Sequence, residues 1–266
     1  MMPAMFDSHA HLDVVEFDQD RDSVIDRALK MGVATIIVVG TDLKSSKKVV
    51  RLAEDRPEIK AAAGIDPSSA PGVTKADIAE LSEIAASPEV VAIGEIGLDY
   101  YHGSSLKEAQ QQTLRWQLDL AVKQQLPVIL HCRKAEEDLL PLLRQWTTDT
   151  SKYEERLSGV IHCFSGTTDT AREYLKMGFF ISLGAYIGYP SSRRLAEVIR
   201  ALPMEKILLE TDCPYLPPQN HRGQRNEPAY LSLTVAALAE IRDVSMEVIA
   251  RVTSENARNL FGIAYI

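Results

Sequence analysis

The sequence predicts an α/β fold of the (β/α)8 TIM-barrel class, formed by a single domain over residues 1–266. Eight short apolar or β-branched runs alternate with longer amphipathic stretches, and no linker rich in Gly, Ser or Pro separates them. The run at 36–39 is apolar throughout, which is typical of a strand covered on both faces. Alternation over roughly 250 residues suits such a barrel. An open doubly wound sheet uses the same alternation, but no Gly-x-Gly-x-x-Gly motif follows the first run.

Strands are predicted where β-branched and apolar residues form short runs, at 4–9, 34–39, 60–65, 90–95, 127–131, 159–162, 179–183 and 207–211. Helices are predicted where apolar residues recur every three to four positions, at 21–31, 45–54, 75–86, 106–125, 136–146, 168–177, 191–201, 228–241 and 245–253. In the stretch 106–125, for example, Leu114, Leu118 and Ala121 share one face. Asn226 is predicted to cap the helix that begins at Pro228.

The composition limits the partners and the compartment. The chain carries 29 Lys and Arg against 37 Asp and Glu, a formal charge of −8. This balance argues against a broad basic face for duplex DNA but leaves room for a local nucleic-acid site. No apolar run approaches the ~20 residues of a membrane span, and the first residues lack the pattern of an export signal. Cys132, Cys163 and Cys213 form no CxxC pair and suit a reducing compartment. We therefore expect a cytoplasmic protein, a monomer, without a membrane partner.

All six histidines fall at the carboxyl ends of predicted strands or in the loops beyond them. His9 and His11 are two residues apart on the first strand, so both imidazoles point the same way. A lone histidine at such a position is more often solvated than a ligand, but two carboxylates share these strand ends. The residues expected at this rim are His9, His11, Glu95, His131, His162 and Asp212, with His102 and His221 in neighbouring loops. Because the rim holds the active site of TIM barrels and buried acids are usually paired or metal-bound, we predict a binuclear divalent metal site.

The donor types indicate the chemistry. Imidazole with carboxylate suits Zn, Mn, Fe or Ni, and carboxylate with water suits Mg. We expect two divalent ions per subunit, Mg or Mn, with Zn also compatible. Glu95 is the candidate bridge because it lies midway between the two histidine pairs, and Asp212 is the candidate proton acceptor from the attacking water. These two are the predicted catalytic residues of a hydrolase that needs no Ser or Cys nucleophile.

Six motifs resemble those of the TatD-type metal-dependent deoxyribonucleases, in the same order and over almost the whole chain. They are FDSHAHLD at 6–13, AIGEIGLDYY at 92–101, PVILHCR at 127–133, GVIHCFSG at 159–166, LLETDCPYL at 208–216 and RGQRNEP at 222–228. The resemblance implies a TIM barrel and a magnesium-dependent nuclease that degrades DNA from the 3′ end. It also implies that one ion is bound by His9, His11, Glu95 and Asp212, and a second ion by Glu95, His131 and His162.

The chain departs from that family at one motif. The family usually carries Gly-x-His-Pro-His after the third strand, whereas this chain has GIDPS at 64–68, with Asp66 and Ser68 in place of both histidines. A carboxylate there repels a phosphate unless a cation intervenes. Asp66 is nevertheless a substrate-binding candidate, together with Arg133, Arg222 and Arg225, whose guanidinium groups match phosphate oxygens.

The expected partner is DNA, single-stranded or with frayed ends, and the candidates for stacking on unpaired bases are Tyr100, Tyr101 and Phe164. Two alternatives stay open. The same metal centre could serve hydrolysis of an amide, a lactone or an aminoacyl ester, or the barrel could bind metal without catalysis.

Overall fold

The structure, a computed structural model, describes residues 3–101, 105–150 and 158–264. Within these ranges it contains eight strands, β1 (Met5–Ala10), β2 (Val33–Val39), β3 (Ile59–Ala63), β4 (Val90–Asp99), β5 (Val128–Arg133), β6 (Gly159–Ile161), β7 (Phe180–Leu183) and β8 (Ile207–Leu209). The helices are α1 (Arg21–Lys30), α2 (Leu43–Asp55), α3 (Lys75–Ile84), α4 (Lys107–Gln124), α5 (Glu136–Thr150), α6 (Thr168–Lys176), α7 (Arg193–Ala201), α8 (Leu231–Arg242) and α9 (Met246–Phe261). The predicted alternation of eight strands with helices is confirmed. His102 lies outside the described residues.

The chain divides into two compact units. Unit 1 comprises the described residues of Met1–Val38, Cys163–Arg172 and Phe180–Ile266, and unit 2 comprises those of Val39–His162 and Glu173–Phe179. The assignment of residues 1–266 to a single domain stays a prediction. Among the described helices, each is too short or too polar to cross a bilayer.

Unit 1 contains two parallel strand pairs. β1 pairs with β2, where Asp7 lies opposite Ile36, and β7 pairs with β8. At their carboxyl ends β1 and β8 are connected by two backbone hydrogen bonds. The amide of Asp212 donates to the carbonyl of His9 at 2.9 Å, and the amide of His11 donates to the carbonyl of Cys213 at 2.8 Å. These bonds place the polar ends of β1 and β8 side by side.

Helix α9 packs under β1 and β8, and it is longer than predicted. It continues from residue 253 to Phe261 and ends at Gly262, whose φ of 65° is left-handed. The hydrophobic pattern does not show this continuation, because the buried face of the helix after residue 253 includes the polar residues Ser254 and Asn256. The amide group of Asn256 donates to the carbonyl of Ile207 at 2.9 Å. A buried polar side chain that satisfies a neighbouring carbonyl therefore replaces the apolar pattern in this part of the helix.

Unit 2 contains β3, β4, β5 and β6, paired in parallel in chain order. β4 runs beyond its predicted end, so Glu95 lies inside the strand and not at its carboxyl end. The pairing of β4 with β5 is irregular between Ile93 and Ile96. Beyond this point Gly97 has a φ of +146°, and a Cβ there would lie 2.0 Å from the carbonyl oxygen of His131. Only glycine fits this position, and the irregularity breaks the period of two on which the predicted end depended.

Candidate metal centre

The first donor group consists of His9, His11 and Asp212, all in unit 1. The Nε2 atoms of His9 and His11 lie 3.1 Å apart. Asp212 Oδ1 lies 3.8 Å from His9 Nε2 and 3.5 Å from His11 Nε2. All three residues are buried. Two imidazole nitrogens and one carboxylate oxygen therefore face the same small space.

Asp212 lies in a turn after β8 that is held by hydrogen bonds on both sides. Its φ of 54° is left-handed, a conformation that Asp adopts more readily than most residues. On one side of the turn, the Asp7 carboxylate accepts hydrogen bonds from the amide and the hydroxyl of Thr211, at 2.9 and 2.6 Å. On the other side, Asn226 Nδ2 donates to the carbonyls of Thr211 and Tyr215, both at 2.7 Å. The backbone that carries Asp212 is thus held from two directions.

Asp7, which holds this turn, is a completely buried acid. Burial raises the pKa of the Asp7 carboxyl to about 7, although the hydrogen bonds from Thr211 oppose the rise. Its role is to hold the β8 turn.

The second donor group consists of Glu95, His131 and His162, all in unit 2. Glu95 Oε1 lies 2.8 Å from His131 Nδ1 and 3.0 Å from His162 Nε2. The two imidazole nitrogens lie 3.0 Å from each other. β4 and β5 carry Glu95 and His131, while His162 follows β6 directly. Three neighbouring strands therefore bring these donors to one point.

Asp99 orients the ring of His131 from the side opposite Glu95. Asp99 Oδ2 lies 3.1 Å from His131 Nε2. Burial alone would lower the pKa of His131, but the hydrogen bonds with Asp99 and Glu95 outweigh it and raise that pKa to about 9. A metal ion binds the neutral ring, in which Nε2 donates its proton to Asp99 and Nδ1 carries a lone pair directed at Glu95 and His162. This arrangement, an imidazole backed by a carboxylate, is common behind metal-binding histidines.

Both donor groups fit a divalent cation. Each offers two imidazole nitrogens and one carboxylate oxygen, and the donor atoms of the first group lie within 4.8 Å of one another. Mixed nitrogen and oxygen donors suit Mn or Zn, and Mg is compatible where water completes the coordination. The residues that are present therefore match the kind of ion that the family resemblance implies.

Asp66 lies after β3, in unit 2. Its carboxylate caps the short 3-10 turn Pro67–Ser69 by accepting the amide of Ser69 at 2.8 Å, and the hydroxyl of Ser68 donates to it at 2.9 Å. Burial and the nearby charge of Glu95 raise the pKa of Asp66.

The three predicted arginines have different surroundings. The Arg133 guanidinium lies 3.7 Å from the centre of the Tyr101 ring, and Tyr101 is exposed. Arg222 is also exposed and lies 4.7 Å from the centre of the Tyr189 ring. Arg133 and Arg222 are therefore placed on aromatic rings at the surface.

Arg225, by contrast, is bound within the protein. It donates two hydrogen bonds to the Asp20 carboxylate, both at 2.8 Å, and one to Glu227 at 3.0 Å. The Arg225 guanidinium, bound to two carboxylates in this way, connects the segment after β8 to the start of α1.

Two further residues, His221 and Cys132, have structural surroundings. His221 stacks on Tyr230 with ring centres 4.1 Å apart. Cys132 accepts a long hydrogen bond of 3.5 Å from the hydroxyl of Tyr174, and burial raises the pKa of its thiol to about 12. Such a thiol does not supply a nucleophile near neutral pH.

Two supporting residues were not predicted from the sequence, and a third was predicted in a different role. Asp7 and Asp99 were not predicted, although both lie within motifs that resemble those of the family. The signal available in the sequence was their spacing, since Asp7 is two residues before His9 and Asp99 is four residues after Glu95. Asn226 was predicted as a helix cap, which is wrong. The short 3-10 turn begins at Pro228 without a side-chain cap, and Asn226 holds the carbonyls of the β8 turn instead. A buried asparagine satisfies more hydrogen bonds there than at a helix end.

Comparisons with known proteins agree on one family. The sequence profile described as TatD related DNase matches residues 6–262. A Bacillus subtilis protein named uncharacterized metal-dependent hydrolase YabD is 39% identical, over 97% of this chain and 99% of its own. The 3′-5′ ssDNA/RNA exonuclease TatD of Escherichia fergusonii is 35% identical, over 98% of this chain and 100% of its own.

A solved structure supports the same conclusion. The crystal structure of YjjV, a TatD homologue from Escherichia coli, matches 99% of this chain and 100% of its own with a TM-score of 0.91 and 32% identity. This likeness, with the eight parallel strands and alternating helices, confirms the predicted (β/α)8 barrel class. The chain belongs to the TatD related DNase family of metal-dependent hydrolases, as its motifs predicted.

Proposed function

We propose that this protein is a metal-dependent nuclease that removes nucleotides from the 3′ end of single-stranded DNA or of frayed duplex ends. The observation that carries the proposal is the pair of donor groups, each with two imidazole nitrogens and a carboxylate oxygen at short range. The relative from Escherichia fergusonii, named a 3′-5′ ssDNA/RNA exonuclease, supports the choice of bond and of direction.

Two divalent ions are proposed, Mg or Mn, with Zn also compatible. His9, His11 and Asp212 would hold one ion, and His131, His162 and Glu95 would hold the other. Glu95 is the candidate bridge, as the family resemblance implies. When bound, such ions activate water for attack and stabilise the charge that develops on the phosphodiester.

The protein's own groups would position the reactants and move the proton. Asp212 accepts the proton of the attacking water at its carboxylate, since the fixed turn after β8 holds that group among the donors. Asp99 keeps the proton of His131 on Nε2 and so keeps Nδ1 available as a donor. Arg133 and Arg222 are the proposed phosphate contacts, because both guanidinium groups lie at the surface on aromatic rings.

Asp66 remains a candidate contact for substrate, and Arg225 a weaker one, because its fork already binds Asp20 and Glu227. A reducing compartment such as the cytoplasm suits a chain with three cysteines and no CxxC pair, and we propose that the protein acts there as a monomer.

The deciding experiment uses protein stripped of metal with a chelator. Single-stranded DNA labelled at its 5′ end is added with Mg, Mn or Zn, and products are resolved at single-nucleotide steps. We expect a ladder that shortens from the 3′ end, and a loss of about 10²-fold or more in kcat/KM for Asp212→Asn. Asp243→Asn is the matched control, because Asp243 ends α8 in the same left-handed conformation, with a φ of 53°.

Absence of cleavage with every ion, in protein that still binds metal, would contradict the nuclease proposal. Turnover of amides, lactones or aminoacyl esters by the same preparation would then identify the scissile bond.

A further inference from the structure

A cavity of about 210 Å³ opens beside His131 in unit 2. Its walls are the turn after β3, the end of β4, residues 105–106 before α4 and the imidazole of His131. The cavity therefore borders the second donor group directly, and a substrate bound to that group would extend into it.

The lining of this cavity is acidic and rich in hydroxyls. Asp66 and Asp99 contribute carboxylates, and Ser68 and Ser105 contribute hydroxyls. None of the described lining residues is Lys or Arg. The cavity can accept hydrogen bonds from hydroxyl and amino groups, but its described lining offers no Lys or Arg side chain to a phosphate.

The two carboxylates are held in place. Asp66 accepts the amide of Ser69 at 2.8 Å, and Asp99 accepts the amide of Tyr101 at 2.8 Å as well as lying 3.1 Å from His131 Nε2. Gln110 of α4 anchors the backbone of Asp99 with two hydrogen bonds, of 3.0 and 3.1 Å. Neither acid can turn away from an incoming charge without breaking these bonds.

We propose that this cavity receives the sugar of the 3′-terminal nucleotide and selects a free 3′-hydroxyl over a 3′-phosphate. The inference rests on the proposed function, since an enzyme that works from the 3′ end keeps the terminal sugar within one nucleotide of the reacting phosphorus. A terminal hydroxyl donates to a carboxylate or a serine. A terminal phosphate brings a further charge of about −1.5 to −2 against two fixed acids. Asp66, at the position where the family usually has histidine, would thus set which ends are processed.

The test compares two oligonucleotides of one sequence, labelled at the 5′ end, that finish in a 3′-hydroxyl or in a 3′-phosphate. The readout is the ratio of their kcat/KM values for removal of the first nucleotide. We expect a ratio of at least about ten in favour of the hydroxyl end, because both acids repel the phosphate. Asp66→Asn should lower the ratio at least three-fold, since the amide oxygen preserves the cap of the turn while the charge is lost. Ser68→Lys, at an exposed position, should lower it further.

Asp42→Asn is the matched control. Asp42 caps α2 by accepting the amide of Ser45 at 2.7 Å and does not line the cavity, so the ratio should not change. Equal rates for both ends in the unmodified protein, or an equal effect of Asp42→Asn, would overturn the proposal.

A binding measurement separates this proposal from the proposed function. If neither oligonucleotide is cleaved, the nuclease proposal fails, and fluorescence anisotropy in the presence of a chelator still decides the cavity proposal. The 3′-hydroxyl oligonucleotide should bind more tightly than the 3′-phosphate one, and Asp66→Asn should reduce that preference. Equal affinities would refute it.

Discussion

The two donor groups contain the same kinds of ligand atom but are supported in different ways. In the first group the backbone next to Asp212 is held, by Asp7 and Asn226 acting on Thr211. In the second group a side chain is held directly, because Asp99 contacts the ring of His131. Support through the backbone fixes position, whereas a carboxylate behind an imidazole fixes its tautomer and increases its basicity. The affinity of the second group for a cation therefore depends on a residue outside the ligand set.

Replacing Asp99 should show the difference between the two donor groups most clearly, because only the second group depends on it. Asp99→Ala removes the acceptor behind His131, and we expect a 10- to 100-fold loss of metal affinity. Activity should therefore fall at limiting metal and recover when metal is in excess, whereas Asp212→Asn should not recover. The measurement is a titration of activity with Mn, together with the metal content after dialysis.

Asp119→Ala, on the exposed face of α4, is the control for Asp99→Ala and should leave the titration unchanged. An unchanged titration for Asp99→Ala itself would show that the carboxylate does not support His131.

A substitution in β4 beside the second group should have a smaller effect than Asp99→Ala, and that effect is on stability. Gly97→Ala places a Cβ 2.0 Å from the carbonyl oxygen of His131, so β4 and β5 must move apart. We expect the free energy of unfolding to fall by more than about 2 kcal/mol, as measured by urea denaturation.

Gly223→Ala provides the comparison for that substitution. Gly223 also has a positive φ, of +81°, but a Cβ there meets nothing within 4 Å. Only the backbone strain remains, about 1–2 kcal/mol. If both variants lose the same stability, the close approach between β4 and β5 is not what requires glycine at 97.

The ion pairs that fasten the segment after β8 should give the smallest effect. The hydrogen bonds from Arg225 lower the pKa of Asp20 to about 2, against an ordinary value of 3.8. Since the folded protein holds the ionised form, the pair stabilises the fold above pH 3.8, and this contribution is lost as the pH falls through about 2. For a surface pair it is at most about 1 kcal/mol at pH 7.

Asp20→Asn should therefore be slightly less stable than the unmodified protein at pH 7, and the difference should shrink below about pH 4. Denaturation at a series of pH values tests this. A difference that grows on acidification has the opposite sign and would refute the assignment. Metal binding should not change, because Asp20 contacts neither donor group directly.

The sequence predicted the strand and helix order and the family because these depend on local periodicity and on contiguous motifs. The structure brings the six predicted donor residues together in two groups of three, and their role as metal ligands stays a prediction. The grouping of His9 and His11, for example, needs only the period of two along β1. The length of β4 was not predictable in this way, since an irregular register between Ile93 and Ile96 shifts the period. The supporting role of Asn226 was also hidden, because its partners lie up to 15 residues away and only the folded β8 turn brings them within reach.

The division of the chain has a consequence for the order in which the donors become available during synthesis. Unit 2 is built mostly from one continuous stretch, Val39–His162, whereas unit 1 joins three separate stretches. As the ribosome adds residues in order, Glu95, His131 and His162 are all present once residue 162 has emerged. His9 and His11 are synthesised first, but Asp212 is added only after a further 50 residues beyond residue 162. Because loop closure costs little more for a longer loop, the finished protein loses little stability by this arrangement. A chain that stops before Asp212, however, carries the imidazoles of His9 and His11 without the carboxylate that faces them in the first donor group.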